Sequence, residues 1–401
     1  MPSLCTKDST CCTTNQITDC PIGNIKSQIL ECNVIGIFLD FRKAFDTVDH
    51  SILLEKLDIY GIRGIAHSWF KSYLTNRQQY VHFSGASSDY KTIKCGIPQG
   101  SILGPLLFLL YINDLSHVSK ILSSFLFADD TNLFLTGVDI NTMVDIINTE
   151  LHSISQWLKA NKLSLNIDKT NFMLFKPKGK RTPAINIYIE GHQVHQVSEA
   201  KFLGVILDDN LNWSNHIAYI KRKVAKSVGI IIKARKVFNK ETMLSLYNSL
   251  VYPYLSYCIH VWGSAYEVHL SDLVVLQKRI IRIISGVPPR AHTAPLFSDM
   301  KLLNIDGIYK YTVGLFMYKF MGNMLPPLFD MFELNMNVYS YNTRNRAMFH
   351  IPLCRTNRSQ RTIKYMGSKF WNILASNINI NCKIGTFKKY LKKYIITNPD
   401  I

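Results

Sequence analysis

Three aspartates in two apolar settings are the residues of this chain whose type and placement could do chemistry. Asp129 and Asp130 interrupt FLFADDTNLFL (125–135), where short apolar runs on either side of a polar pair predict a β-hairpin with the carboxylates at its turn. Taken alone, an Asp-Asp turn is ordinary turn chemistry, because Asp bonds to its own nearby backbone. Asp40 changes that reading. It closes the apolar run of NVIGIFLDF (33–41), which predicts a core strand, and an unpaired carboxylate in such a place costs several kcal/mol. If that strand lies beside the hairpin, three carboxylates meet at one sheet end. Like charges so close either raise one another's pKa or hold divalent cations. Oxygen donors without His or Cys select Mg²⁺ or Mn²⁺. Two such ions about 4 Å apart stabilise both the attacking and the leaving oxygen of an in-line phosphoryl displacement.

The elements that must hold these acids can be read from the periodicity. Apolar Ile52, Leu53, Leu57 and Tyr60 predict a helix closed by Gly61, and a second helix follows around His67 to Leu74. QQYVHFSG (78–85) is strand-like, and ILGPLLFLLYI (102–112) predicts a buried helix with Gly104-Pro105 near its start. Residues 141–160 repeat every 3.6 positions through Met143, Ile146, Ile147, Leu151, Ile154 and Trp157. Strand-like pieces return at 171–175, 185–189 and 201–207, and beyond Trp213 the pattern is helical almost to the end. In LQKRIIRIISG (276–286), Lys278, Arg279 and Arg282 fall on one helix face, opposite Leu276, Ile280, Ile281 and Ile284.

Charge separates the two halves. The net charge is +18, yet residues 1–200 hold 18 basic and 18 acidic side chains, so the whole excess lies in residues 201–401. A domain-sized basic surface fits a polyanion, most often nucleic acid. At 401 residues the chain is too long for one core, so two or three domains are expected. Its nine cysteines are odd in number, and Cys5, Cys11, Cys12 and Cys20 lack both CxxC spacing and a nearby His pair, which argues for reduced thiols rather than zinc. MPSLCTKDSTCC (1–12) is no signal peptide, and the most apolar run is too short to span a bilayer. An intracellular protein with no membrane partner is expected, in the nucleus, the cytoplasm or both.

Five blocks in order now acquire a common meaning. LDFRKAFDTVDH (39–50), GIPQGSILGPLLFLLYIND (96–114), FADD (127–130), LSLNIDKT (163–170) and KFLGVILDD (201–209) resemble palm motifs A to E of reverse transcriptases from non-LTR retrotransposons, jockey-type or LINE-like. LVYPYLSYCIHVWGS, LQKRIIRII, GSKFWNIL and FKKYLKKY resemble that family's thumb and adjoining region, so the likeness runs from about residue 33 to 398. The resemblance implies an α+β fold: a polymerase palm, with an antiparallel sheet and a carboxylate hairpin backed by helices, then an all-helical thumb and C-terminal region. The implied domains are a poorly defined segment 1–32, a palm with partial fingers 33–210, a basic thumb 211–300 and a basic C-terminal region 301–401.

It also implies roles for particular residues. Asp40, Asp129 and Asp130 would hold two Mg²⁺ or Mn²⁺ ions, and Lys169 would lie near the leaving pyrophosphate. Phe41, Phe45, Gln99 and Gly100 would border the incoming deoxynucleoside triphosphate, with Phe45 under the sugar, excluding a 2′-hydroxyl. Phe202, Leu203 and Gly204 would grip the primer end, and Lys278, Arg279 and Arg282 would face nucleic acid. RNA template and DNA primer are the implied partners, and a full-length element protein acting in trans is a further candidate. The 32 residues before the first block match neither the family's upstream fingers blocks nor its endonuclease, so an N-terminally truncated polymerase is expected. A nucleic-acid-binding remnant without catalysis is the alternative. The bulk of Phe45 argues against ribonucleotide use, and the basic second half argues against a nucleotidyl cyclase.

Overall fold

The fold was read from a computed structural model that describes residues 32–175, 184–325, 331–339 and 344–399. Cys5, Cys11, Cys12, Cys20 and the rest of the predicted segment 1–32 up to residue 31 lie outside the described residues. The chain mixes helix with sheet and divides into two compact units, Cys32–Leu203 and Gly204–Ile401.

Strands of the first unit are numbered along the chain. They are β1 (Asn33–Leu39), β2 (Gln78–Gln79), β3 (His82–Phe83), β4 (Ala86–Ser87), β5 (Lys91–Thr92) and β6 (Ser123–Phe127). After these come β7 (Asp130–Gly137), β8 (Asn171–Phe175), β9 (Tyr188–Ile189), β10 (His192–Gln193), β11 (His195–Gln196) and β12 (Glu199–Phe202). The main sheet has the order β11-β8-β1-β7-β6. Every residue of β1 is buried. A central strand covered on both faces needs apolar side chains on both, which is why β1 reads as a continuous run rather than an alternation. On one face Ile35, Ile37, Leu39, Leu133, Phe172 and Leu174 join a core with Leu107, Phe108 and Tyr111 of the helix Leu103–Ile112 and with Ile147, Leu151 and Ile154 of the helix Ile140–Ala160. Each such side chain contributes about 1.5–3 kcal/mol by leaving water. On the other face the ring of Phe134 lies over Gly36, where a Cβ would come within 2.7 Å of it.

Several sequence expectations change here. The sheet is antiparallel except at one edge, where β11 runs parallel to β8. β11 follows directly on the β9–β10 hairpin and pairs along β8 in the same direction. The single strand expected over 78–85 is half of a ribbon instead: Ser84 and Gly85, at φ +49° and +83°, turn the chain between β3 and β4. The strand expected over 185–189 contracts to its last two residues, β9, and Glu190-Gly191 turns the chain immediately after it. The strand expected over 201–207 is broken by Leu203 and Gly204, at φ +46° and +82°. The predicted helices fare better, and the one over 141–160 begins one residue earlier, capped by the Asp139 carboxylate on the Thr142 amide at 2.8 Å.

The second unit opens with β13 (Val205–Asp208) and continues in helices. Buried Asp208 accepts hydrogen bonds from the backbone amides of Asn210, Asn212 and Trp213, which fixes the entry to the helix Ser214–Ala234. That helix packs on Glu267–Ser285, burying Ile217, Val224 and Ile231 on one and Leu273, Ile280 and Ile281 on the other. The buried faces also carry polar residues, His216 and Ser227 on the first helix and Gln277 on the second, whose amide donates to Tyr247 Oη and to the Leu303 carbonyl. Among the described residues no helix is long and apolar enough to cross a membrane.

Candidate active site

The sheet register brings the three aspartates to one end. Leu39 pairs with Thr131, and Phe127 pairs with Asp130, so Asp40 leaves β1 beside the residue that starts β7. Ala128 and Asp129 form the turn between β6 and β7, with Ala128 at φ +50°. A non-glycine residue in that region costs about 1–3 kcal/mol and persists only where its surroundings fix it. Here the β6–β7 ladder fixes one side and the β1–β7 ladder the other.

Electrostatics report the same convergence. The Asp130 carboxyl is held above the usual carboxylate range, first by local desolvation, then by the negative charges of Asp129 and Asp40, while Lys201 pulls it the other way. Among the described residues no trio of acidic, His or Cys side chains is drawn together as a ready metal cage. The acids are neighbours whose charges are felt. Their hard oxygen donors suit a hard divalent cation, which would offset both the desolvation of Asp130 and the repulsion from Asp129 and Asp40.

A second segment clamps Asp40. The Asn166 amide donates to the Asp40 carbonyl at 2.7 Å, the Asp40 amide to Thr170 Oγ1 at 3.3 Å, and the Arg42 amide to the Ser164 carbonyl at 2.8 Å. LSLNIDKT therefore runs alongside residues 40–42, with Phe41 bridged to Leu165. Lys169 sits in the tight turn of this segment, exposed and outside the cavity wall.

Next to the acids lies a cavity of about 410 Å³, lined by Phe41, Lys43, Ala44, Phe45, Pro98, Gln99, Gly100, Pro105 and Asp129. All four residues expected around a nucleotide are in this wall. Phe45 is both wall and core, because its ring stacks on Phe108 with centroids 4.6 Å apart. The Gln99 side chain donates to Asp46 Oδ1 at 2.9 Å. Backbone bonds stitch its loop in place: Gly96 donates to the Val48 carbonyl at 2.7 Å and Ile97 to the Phe45 carbonyl at 2.9 Å. Gly96, at φ +89°, is required there, since a Cβ would lie 2.7 Å from the Asp46 carbonyl oxygen. Gly100 is at φ +81° with open space where a Cβ would be, so its freedom serves the backbone turn.

Sequence reasoning missed Lys43, Asp46 and Lys201. Lys43, at φ +48°, lines the cavity, Asp46 orients Gln99, and Lys201 lowers the charge cost at Asp130. The first two lie inside the first motif and Lys201 opens the fifth, so those blocks were the available signal. Other expected residues are placed less simply. Phe202 is buried, edge-on to Phe134 at 6.1 Å, so it anchors the turn at Leu203-Gly204 and presents no surface of its own. Lys278 and Arg279 are exposed, whereas half-buried Arg282 spends its Nε–H on the Ala291 carbonyl at 2.8 Å, because the chain folds back after Gly286. Two of the three predicted cations thus remain on an open face.

The described residues thus hold an acid-bearing hairpin beside a strand-end aspartate and an aromatic-walled cavity, and family comparison gives the class of the chain. Residues 6–207 match the family described as reverse transcriptase (RNA-dependent DNA polymerase), and the chain belongs to that family. The resemblance to non-LTR retrotransposon enzymes drawn from the ordered motifs stands with it. Because the match starts at residue 6, the segment before the first motif lies largely within the family pattern, contrary to expectation. The chain is similar to the probable RNA-directed DNA polymerase from transposon X-element of Drosophila melanogaster, at 32% identity over 70% of this chain and 31% of the relative. It is also similar to the RNA-directed DNA polymerase from mobile element jockey of the same organism, at 28% identity over 67% of this chain and 30% of the relative. The chain thus spans about a third of the length of these curated relatives. Among solved structures, telomerase from Candida albicans in complex with a fragment of telomeric RNA aligns with a TM-score of 0.41, at 13% identity over 76% of this chain and 48% of that one.

Proposed function

We propose that this chain is an RNA-directed DNA polymerase module that adds deoxynucleotides to a DNA primer annealed to an RNA template. Residues 33–210 would be a palm with partial fingers, 211–300 a basic thumb and 301–401 a basic C-terminal region. What supports the reading above all is the convergence of Asp40, Asp129 and Asp130 at one sheet end, reported by the raised Asp130 carboxyl, beside a cavity walled by Phe41, Phe45, Gln99 and Gly100.

In the reaction the primer 3′-oxygen bonds to the α-phosphorus, the bond to pyrophosphate breaks, and the 3′-hydroxyl proton is lost. Asp40 and Asp129, with Asp130 in support, would hold two Mg²⁺ or Mn²⁺ ions, which supply charge neutralisation at both oxygens when bound. Phe45, braced on Phe108, would form the floor under the sugar, where a rigid ring leaves no room for a 2′-hydroxyl. Gln99, oriented by Asp46, would meet the nucleotide or the templating base. Lys169 would donate a proton to the leaving pyrophosphate from a turn tied to the Asp40 backbone. Leu203-Gly204 would meet the primer end, and Lys278 and Arg279 its phosphates.

The test is primer extension by the purified chain on an RNA template with a DNA primer and Mg²⁺ or Mn²⁺, against Asp129→Ala. Metal-dependent extension lost in the variant is the expected result. No extension by the wild-type chain, with primer–template still retained in a salt-sensitive manner, would replace this reading with that of a binding remnant.

A further inference from the structure

We propose that the ribbon β2–β5, with the helix Gly64–Leu74 before it, is a stacking platform for single-stranded nucleic acid, separate from the catalytic cavity. The ribbon is exposed along its length. It nevertheless carries Tyr80, Phe83 and Tyr90, which are 49%, 78% and 67% exposed, and the helix adds Trp69 at 52%. Large aromatic side chains left in water forfeit the burial that normally stabilises them, so a cluster of them marks a contact surface.

The arrangement suits flat ligands. Trp69 and Tyr73 stack with an interplanar angle of 8° and centroids 5.5 Å apart, and the Arg77 guanidinium lies 5.1 Å from the Tyr73 centroid. Tyr80 and Tyr90 meet across the ribbon with centroids 4.8 Å apart and their planes tilted by 52°. A base laid on such a column gains stacking whatever its identity, because every base has a π-face.

Charge selects this occupant over a second copy of the chain. Residues 64–95 contain Lys71, Arg77, Lys91 and Lys94 against Asp89 alone, within a half of the chain that carries no net charge as a whole. Two such faces would repel each other, whereas a polyanion carrying bases meets both the cations and the rings. The chain leaves β5 through Ile93 and Lys94 into the loop that holds Gln99, so the platform and the cavity wall share one continuous segment. None of this depends on the polymerase reading.

Trp69 supplies the readout. Of the five tryptophans, Trp213, Trp262 and Trp371 are buried and Trp157 is half-buried, so a stacking partner reaches Trp69 first. The full chain, wild type and Asp129→Ala, is titrated with oligouridylate and with oligothymidylate about a dozen nucleotides long, without nucleotide or divalent cation. Tryptophan quenching gives occupancy of the platform, and anisotropy of labelled oligomers gives affinity. We expect quenching in both chains, absent from Trp69→Phe, and about tenfold weaker binding for Tyr80→Ser/Tyr90→Ser, with binding to a blunt duplex changed less than twofold. Circular dichroism checks the fold, which these exposed positions should leave intact. Absence of quenching, or wild-type affinity in the double variant, would overturn the proposal. So would a dimer in sedimentation that the double variant dissolves, since the face would then serve self-association. A catalytically dead chain that still shows the quenching leaves the proposal standing, so the two readings fail separately.

Discussion

The turns at Ala128-Asp129 and Ser84-Gly85 are both two-residue hairpin connections with positive φ, and they sit in opposite surroundings. The first is followed by Thr131–Leu135, buried without interruption, and its strand is paired on both sides. The second closes a ribbon whose strands are exposed throughout. A two-stranded ribbon with no buried face is marginally stable on its own, whereas a hairpin inside a packed sheet is held to fractions of an ångström. Each turn holds a non-glycine residue at positive φ, Ala128 at +50° and Ser84 at +49°, but ladders brace the first on both sides, whereas the second is followed by Gly85, which carries no such strain. Carboxylates that must meet a reacting group in one geometry belong on the rigid hairpin. Aromatics that must receive a strand of varying sequence can sit on the yielding one.

The comparison can be broken most decisively at the acids. Asp129→Ala should reduce primer extension on the order of a thousandfold. The double variant Tyr80→Ser/Tyr90→Ser, at the ribbon, should cost about tenfold on single-stranded binding and spare the chemical step. Equal effects on the single-turnover rate would mean that the two regions do not differ as argued. Next in size is Phe45→Ala, expected to relax discrimination against ribonucleoside triphosphates by about a hundredfold, read as the ratio of kcat/KM values. Unchanged discrimination would return Phe45 to a packing role against Phe108.

Stability sharpens the contrast. Gly96→Ala combines φ +89° with a Cβ 2.7 Å from the Asp46 carbonyl oxygen, while Gly85→Ala has φ +83° and nothing within 4 Å. Urea unfolding should give about 1 kcal/mol for Gly85→Ala, the cost of the backbone region alone. Gly96→Ala should cost at least about 2 kcal/mol more, because backbone must move. Equal costs would show that the cavity loop is as compliant as the ribbon.

The smallest effect is that of pH. The folded Asp130 carboxyl titrates above its ordinary value of 3.8, so the native state holds that proton more tightly than the unfolded chain. The stability this provides is complete below pH 3.8 and is lost as pH rises through the raised value. Asp130→Asn should therefore raise Tm slightly at neutral pH and leave it unchanged near pH 3 to 4. Mg²⁺ at neutral pH should raise the wild-type Tm more than that of Asp130→Asn, because a cation bound only by the native state stabilises it. A rise in the variant equal to wild type would remove Asp130 from the cation's surroundings.

Much of the fold near the acids could be read from side-chain types. A strand buried on both faces leaves a continuous apolar run, and the helix Ile140–Ala160 leaves a 3.6-residue repeat, so β1 and that helix were legible. The ribbon was half legible: its first strand showed, but an exposed hairpin has no apolar face to set a period, and Ser84-Gly85 passed as a strand end. Phe202 misled because an aromatic beside a glycine turn looks the same whether it faces the core or a ligand. Arg282 misled for a related reason, since helix phase gives the face of a cation but not the carbonyl that a returning loop brings to it.

What the sequence determined by itself was the chemistry: three aspartates at strand ends, an aromatic five residues after the first, a glycine-rich loop, and a basic second half. The tertiary structure decided which of these meet. Leu39 opposite Thr131 in the ladder, and the hydrogen bonds of Asn166 to the Asp40 carbonyl and of Ile97 to the Phe45 carbonyl, are backbone pairings between distant residues. Every residue but proline carries the same amide and carbonyl, so these pairings leave no mark on side-chain type. They become determined only when the apolar faces of β1, β7 and β8 close over one core and fix the register.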